Sequence, residues 1–301
     1  MVSCHHVAEA RGSFVPLGGQ FRIRESEVTV SESEITGRTR ILGLIADPVI
    51  QARSPSMANA LLARMRQLGA FVMVPMQVPS GALRTVIDGL RHIPNFAGAI
   101  VSMPHKSAIV ALLDELTAEA QLIGAVNVIR RNNDGTLSGT VLDGEGFVAG
   151  LQAAGHKVQG ANCLLVGAGG AATAIAFAIA RHGCDSLTIQ NRTPSKAEAL
   201  ALRVQRAFPE TRVRSGDADR ATYDVTINAT SLGMGPDDPL PIPPEVIDRS
   251  RVVAECVVAA EITHLLQVAQ RKGRVVHTGL PMLSAQMDLM LRFMGVSSPA
   301  A

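Results

Sequence analysis

Tryptophan is absent and tyrosine occurs once in 301 residues. Proteins that stack nucleic-acid bases need aromatic platforms beside a basic groove. Here the formal net charge is only +2 and no basic block stands out, so a nucleic-acid partner is excluded. Cysteine is also scarce. Cys4, Cys163, Cys184 and Cys256 are scattered with no C-x-x-C pair, which argues against a disulfide scaffold or a zinc site and for a reduced, cytoplasmic compartment. His5 and His6 are metal-ligand types, but on a chain terminus they read as incidental, and no metal is expected. The start of the chain lacks a basic segment followed by an apolar core, so no signal peptide is expected. One stretch, 161–180, carries no charge and is about as long as a membrane span. Three glycines in its first half fit a buried strand and helix better, and no membrane partner is expected.

What is present is apolar and long enough for two domains: 47% of the residues are hydrophobic in a 31.7 kDa chain. The stretch 163–193 organises the reading. Cys163-Leu-Leu-Val166 is a short apolar run. Gly167-Ala-Gly169-Gly170-Ala171-Ala172 is a glycine turn. A helix-length apolar segment follows to His182, and 186–190 is a second β-rich run. This is half of a nucleotide-binding βαβ unit. The turn fits G-x-G-x-x-A: Gly167 permits the tight turn, Gly169 lets backbone approach a pyrophosphate, and Ala172 lets helix and strand pack closely. The helix N-terminus offers free N–H groups and partial positive charge to phosphates. An NAD site usually puts an acid at the end of the second strand. Here Gln190-Asn191-Arg192-Thr193 has none, and Arg192 offers a planar fork for a 2′-phosphate, with Lys196 adding charge. NADP is therefore expected over NAD. The plain alternative, a glycine turn that is only a turn, is weakened by the strand, the helix and the basic strand end around it.

Read in order, the chain before about residue 36 is a peripheral extension with Ser/Glu repeats. A strand spans 40–46. A helix follows from Ser54, its expected cap, through Pro55 to about 68, where Gly69 stops it. Further elements are a strand at 71–78, a helix at 80–92 and a strand at 96–102. Residues 107–120 read as a helix in two pieces with Thr117 a cap. A strand at 126–130, a turn at 132–135 and a short return at 137–140 follow. A helix from about 144 to 154 crosses to the second half. There, helices are expected at 194–208, 262–271 and 281–294, and strands at 223–228, 251–257 and 274–277. The fold class is thus α/β: an amino-terminal α/β domain over 37–143, a Rossmann domain over 144–280, and a cleft between them. The terminal helix, 281–295, is expected to pack back onto the first domain, so that the two close as a hinge.

The ordered motifs Ser54-Pro55, Pro104-His105-Lys106, Gly124-Ala-Val-Asn127, Asp143-Gly-Glu-Gly146, Gly167-Ala-Gly-Gly-Ala171, Asn191-Arg192-Thr193, Asn228-Ala-Thr230 and Gln286 resemble the shikimate/quinate dehydrogenase family from about Ile41 onward. The resemblance implies an NADP-dependent alcohol dehydrogenase that interconverts 3-dehydroshikimate and shikimate, or a related cyclic hydroxy acid. It implies Lys106 and Asp143 as the catalytic pair, relaying the hydroxyl proton while a hydride goes to the nicotinamide. It implies Ser54, Ser102, Asn127 and Gln286 on the substrate. It implies Gly167, Gly169, Gly170, Ala171, Asn191, Arg192, Thr193, Lys196, Asn228, Thr230 and Gly279 on the cofactor. Taken alone, a lysine after proline at a strand end reads as surface charge, an aspartate before glycine as a cap or turn, and Asn228-Ala-Thr230 as an ordinary turn. Met234, Met282 and Met287 could edge the nicotinamide but are more often gap fillers. His105 reads as a bystander.

The departures from the family pattern are as telling. Ala52 stands where the family has a serine that grips a carboxylate, with Arg53 a weak substitute. Ile100-Val101-Ser102 replaces Asn-Val-Thr. Val141-Leu142 replaces Asn-Thr, Val128 replaces Thr, and a Tyr is lost near Val258. Several polar contacts have become apolar while the proton-transfer pair remains, so shikimate is expected to bind weakly. Three other readings compete: a quinate-type dehydrogenase, a dehydrogenase of the same plan acting on amino acids or folate-type substrates, and a non-catalytic NADP-binding sensor. A sensor has no use for a proton relay.

Overall fold

The computed structural model describes residues 34–297, apart from 219–221, 236 and 259–261. Expectations for Cys4, His5, His6 and the extension before residue 34 lie outside the described residues. Two six-stranded sheets follow one another along the chain.

The first is built from β1 (Arg40–Ala46), α1 (Ser54–Arg64), β2 (Phe71–Gln77), α2 (Leu83–Arg91), β3 (Phe96–Val101), β4 (Glu115–Leu116), α3 (Ala118–Ile123), β5 (Val128–Arg131) and β6 (Leu137–Thr140). Its strand order is β2-β1-β3-β5-β6-β4. β1 pairs in parallel with β2 and β3, while β5 runs antiparallel to β3 and β6. All of β3 is buried, as its unbroken apolar run requires of a strand covered on both faces.

The second begins with α4 (Asp143–Ala153). It continues through β7 (Asn162–Val166), α5 (Gly170–Arg181), β8 (Ser186–Gln190), α6 (Pro194–Ala207), β9 (Arg212–Ser215) and β10 (Tyr223–Asn228). It ends with α7 (Pro244–Ile247), β11 (Ser250–Glu255), α8 (His264–Arg271), β12 (Val275–His277) and α9 (Leu280–Phe293). Its strands are all parallel, in the order β9-β8-β7-β10-β11-β12. That is the doubly wound dinucleotide-binding order, with its switch point between β7 and β10, where ligands bind beyond the carboxyl ends of the strands. The uncharged stretch 161–180 is β7, the turn and α5, buried within this layer. None of the described helices is long and apolar enough to cross a membrane.

Some elements differ from the sequence reading. The first helix stops at Arg64, because the chain turns out through Arg66 at φ 54° before β2 begins. Arg53, not Ser54, holds its cap position, and Ser54 lies buried inside the first turn. Within 107–120 only a 3-10 turn at Ala108–Leu112 and the start of α3 are helical, with β4 between them. Thr117 does cap α3, its hydroxyl accepting from the Ala120 amide at 3.2 Å. β9 and the four-residue α7 have no counterpart in that reading.

α9 returns to the first sheet. Met287, Met290, Leu291 and Met294 join Leu42, Leu44, Ile100 and Val128 in one buried cluster.

Candidate active site

Lys106 follows β3, Asn127 precedes β5 and Asp143 opens α4, and backbone pairing brings the three together. The Lys106 carbonyl accepts from the Val126 amide at 2.8 Å, the Asn127 carbonyl accepts from Val101 at 2.8 Å, and Asn127 N–H reaches Thr140 at 3.0 Å. Lys106 Nζ then donates to Asp143 Oδ2 at 2.5 Å. The carboxylate is buried and the lysine partly open, so the pair presents its ammonium end outward.

Asn127 is fully buried and used at both ends. Its Oδ1 accepts from the Leu142 amide at 2.9 Å, and its Nδ2 donates to Gln286 Oε1 at 3.2 Å. Gln286 comes from α9, 159 positions away in sequence. Ser54 is buried and Ser102 half-buried. His105 is committed elsewhere: its buried ring nitrogen Nε2 is 2.7 Å from the Val78 carbonyl, to which it donates.

The glycine turn meets the same place. Gly167 has φ 126°, and a Cβ there would lie 2.8 Å from the Ala229 carbonyl oxygen, so only glycine fits between β7 and the loop after β10. Gly169 has open space where a Cβ would stand, and no side chain caps α5. Its first N–H groups are therefore left for an anion. A Cβ on Gly170 would lie 3.9 Å from Lys106 Cβ and Cδ. At the end of β8, Arg192 and Lys196 are exposed, and neither enters an ion pair among the described residues. Asn191 Nδ2 closes the turn by donating to the Thr193 carbonyl at 3.0 Å. These features fit a phosphorylated dinucleotide: a Cβ-free cradle, an uncapped helix end, and two uncommitted cations where a ribose 2′-phosphate would fall.

Asn228 shapes the loop after β10. Its Oδ1 accepts from the amide and hydroxyl of Thr230, at 3.1 and 2.7 Å, and its Nδ2 donates to the Leu232 carbonyl at 2.9 Å. Gly279 is pressed on the β11 exit: a Cβ there would lie 2.4 Å from the Val257 carbonyl oxygen. Met282 and Met287 are buried core residues, while Met234 is exposed.

Glu255 was not singled out in the sequence. It ends β11 opposite Asn228 and is fully buried. Its Oε2 accepts from Thr263 at 2.9 Å, and its Oε1 has no partner among the described residues. Burial raises its carboxyl to about 7, against the pull of the Thr263 hydrogen bond and of the neighbouring Asn228 side chain. The available signal was an acid closing an apolar β-run. Its neighbour Cys256 has its thiol pushed up, by burial first and then by the Asp143 charge, which puts it in the field of the Lys106–Asp143 pair.

Comparisons with known proteins find relatives over most of the chain. Residues 44–129 match the family model described as shikimate dehydrogenase substrate binding domain, and residues 150–233 match that of shikimate / quinate 5-dehydrogenase. A shikimate dehydrogenase (NADP(+)) from Rubrobacter xylanophilus is 38% identical over 281 residues, covering 90% of this chain and 93% of that protein. Shikimate 5-dehydrogenase from Thermus thermophilus, solved with NADP(H) and shikimate, superposes with a TM-score of 0.77 at 31% identity, over 87% of this chain and 95% of the other. The ligand-free 5-ketofructose reductase of Gluconobacter sp. strain CHM43 superposes with a TM-score of 0.76 at 28% identity, over 87% and 95% of the two chains.

Proposed function

The chain belongs to the shikimate dehydrogenase family, and from that premise we propose that it oxidises a cyclic hydroxy acid of the shikimate type, and reduces the matching ketone, in the cleft at Lys106 and Asp143. It is an NADP-dependent oxidoreductase of this class. The observation that carries the site assignment is the Lys106–Asp143 pair, at 2.5 Å, beside the glycine turn of the second sheet.

NADP, when bound, supplies the hydride acceptor for the alcohol and, reduced, the donor for the ketone. As the alcohol is oxidised, Lys106 Nζ passes one of its protons to the Asp143 carboxylate it is bonded to and takes the hydroxyl proton in its place; on reduction the relay runs backwards and delivers a proton to the carbonyl oxygen. Asn127 and Gln286, already bonded to each other, present their remaining donor and acceptor capacity to ring hydroxyls. Ser54 and Ser102 are assigned to the same substrate by their positions in the family pattern. Arg192 and Lys196 would hold the 2′-phosphate, and Asn228, Thr230 and Gly279 would shape the nicotinamide end. In this division 37–143 with α9 forms the substrate domain and 144–280 the cofactor domain. Free thiols at Cys163, Cys184 and Cys256 suit a reducing compartment, which supports a cytoplasmic enzyme.

A second reading concerns the substrate. Ile100 and Val128 face each other across β3 and β5 and are sealed in the apolar cluster with Met287 and Met290, with Ala52 and Leu142 packed on its edge. Where the family pattern has hydrogen-bonding side chains, these positions offer none. Each lost partner costs roughly 1–3 kcal/mol, so two cost shikimate at least about 30-fold in binding. Turnover with NADP against shikimate, quinate and less polar cyclic alcohols tests both readings. A kcat/KM for shikimate equal to a dedicated shikimate dehydrogenase refutes the shifted preference, and no turnover of any cyclic alcohol refutes the dehydrogenase assignment.

A further inference from the structure

α4 carries Asp143 at its first position, and three glycines share its first two turns. Gly146 and Gly150 are not among the left-handed glycines, so the backbone does not require them; the neighbours do. A Cβ on Gly146 would stand 2.7 Å from Gln286 Cβ and 2.8 Å from the Met282 carbonyl oxygen. A Cβ on Gly150, one turn further, would stand 3.0 Å from the Pro281 carbonyl carbon and 3.1 Å from the Met282 nitrogen, with Gln286 not among its nearest neighbours. Carbon atoms rest at about 3.5–4.0 Å, so a methyl at 146 forces α9 back by several tenths of an ångström at Gln286 itself.

The contacts around Gly146 close into a ring. Gly146 seats Gln286, Gln286 accepts from Asn127 at 3.2 Å, and Asn127 accepts from the Leu142 amide at 2.9 Å. Leu142 precedes Asp143, which lies one helical turn before Gly146. The Gln286–Asn127 bond is already at the long end of the N–H···O range of about 2.7–3.2 Å. A small retreat of α9 breaks it and leaves the Asn127 amide held only at Oδ1, by the Leu142 amide. The far half of α9 stays anchored through Met290 and Leu291, and through Met294 just beyond its end, in the first-sheet core, so the displacement falls on the half that bears Gln286.

We propose that Gly146 is a positioning residue for substrate: its missing side chain sets the distance between α4 and α9, and so the register of Gln286 and Asn127 against the catalytic aspartate. This rests on the assignment of Gln286 and Asn127 to substrate binding.

The test is a double-mutant cycle on the full chain, with NADP and whichever cyclic alcohol wild type turns over. Gly146→Ala is expected to raise KM for the alcohol about tenfold or more while NADP affinity stays within about twofold. Gly150→Ala, a close but less tight contact with α9 at 3.0–3.1 Å and without the route to Gln286, is expected to lower the melting temperature and leave KM within about twofold. In a Gln286→Ala background the KM effect of Gly146→Ala should largely vanish, because both act through one side chain. Additive effects of the two substitutions, an unchanged KM in Gly146→Ala, or a Gly146→Ala chain that fails to bind NADP or to melt cooperatively each overturn the proposal. Gln286→Ala with unchanged KM instead refutes the substrate role of Gln286, and so the reading beneath.

Discussion

Lys106 lies against Gly170: a Cβ on that glycine, the first residue of α5, would sit 3.9 Å from the lysine's Cβ and Cδ. The first sheet's lysine and the second sheet's phosphate turn thus share one van der Waals surface. The donor to Asp143 and the cradle for a dinucleotide are therefore neighbours.

Lys106→Ala separates chemistry from cofactor binding. Turnover should fall by about 10²–10⁴, the usual share of a positioned proton-transfer group, while NADP affinity measured by fluorescence titration is retained. The variant leaves Asp143 buried without its cation, so a stability loss of about 1–3 kcal/mol is expected in denaturant titration. Full turnover in Lys106→Ala would remove the lysine from the mechanism.

Arg192→Ala reads the 2′-phosphate. Losing a charge-assisted contact of about 1.5–3 kcal/mol should weaken NADP roughly 10- to 100-fold and leave NAD unchanged. Equal weakening of both cofactors would place Arg192 away from the 2′-position.

Gly167→Ala tests the turn. At φ 126°, with the Ala229 carbonyl oxygen 2.8 Å from the new Cβ, strain and clash should cost roughly 1–3 kcal/mol. Calorimetry is expected to show a melting temperature lower by several degrees, with NADP affinity reduced as the loop after β10 is pushed off. A variant as stable as wild type would contradict the tightness of this crossing.

Glu255 and His277 give opposite pH slopes. The Glu255 carboxyl is raised by burial from 4.5 to about 7, so the folded chain holds a proton that the unfolded chain has lost. That contribution is full below pH 4.5 and is lost as pH rises through about 7. The shift corresponds to about 3 kcal/mol at most. His277 is lowered from 6.5 to about 4 by burial and then by His156, so its contribution is present above 6.5 and lost as pH falls toward 4. The two slopes oppose each other between 4.5 and 6.5, and variants are needed to see either. Glu255→Gln should raise the melting temperature above pH 7 and leave a net acid-side loss. An unchanged stability-versus-pH curve in Glu255→Gln would show that this carboxyl is ionised at neutral pH.

The sequence by itself determined the local units. The 163–193 stretch reads as strand, glycine turn, helix and strand because each signal is carried by near neighbours: apolar run, missing Cβ, uncapped helix start. β1 and β10 are legible over their full lengths for the same reason. β9 was not, since its Arg-Val-Arg-Ser alternation at a sheet edge buries little, nor was α7, a single turn behind two prolines. Tertiary structure alone decided what meets across the chain. Gln286 and Asn127 are 159 residues apart, and nothing local to either predicts their bond. The return of α9 to the first sheet creates it, because Met287, Met290 and Leu291 find apolar partners only there. Glycines 144, 146 and 150 look alike in sequence. Which of them faces α5 and which faces Gln286 is set by the rotation of α4 between its neighbours, a fact of packing and not of composition.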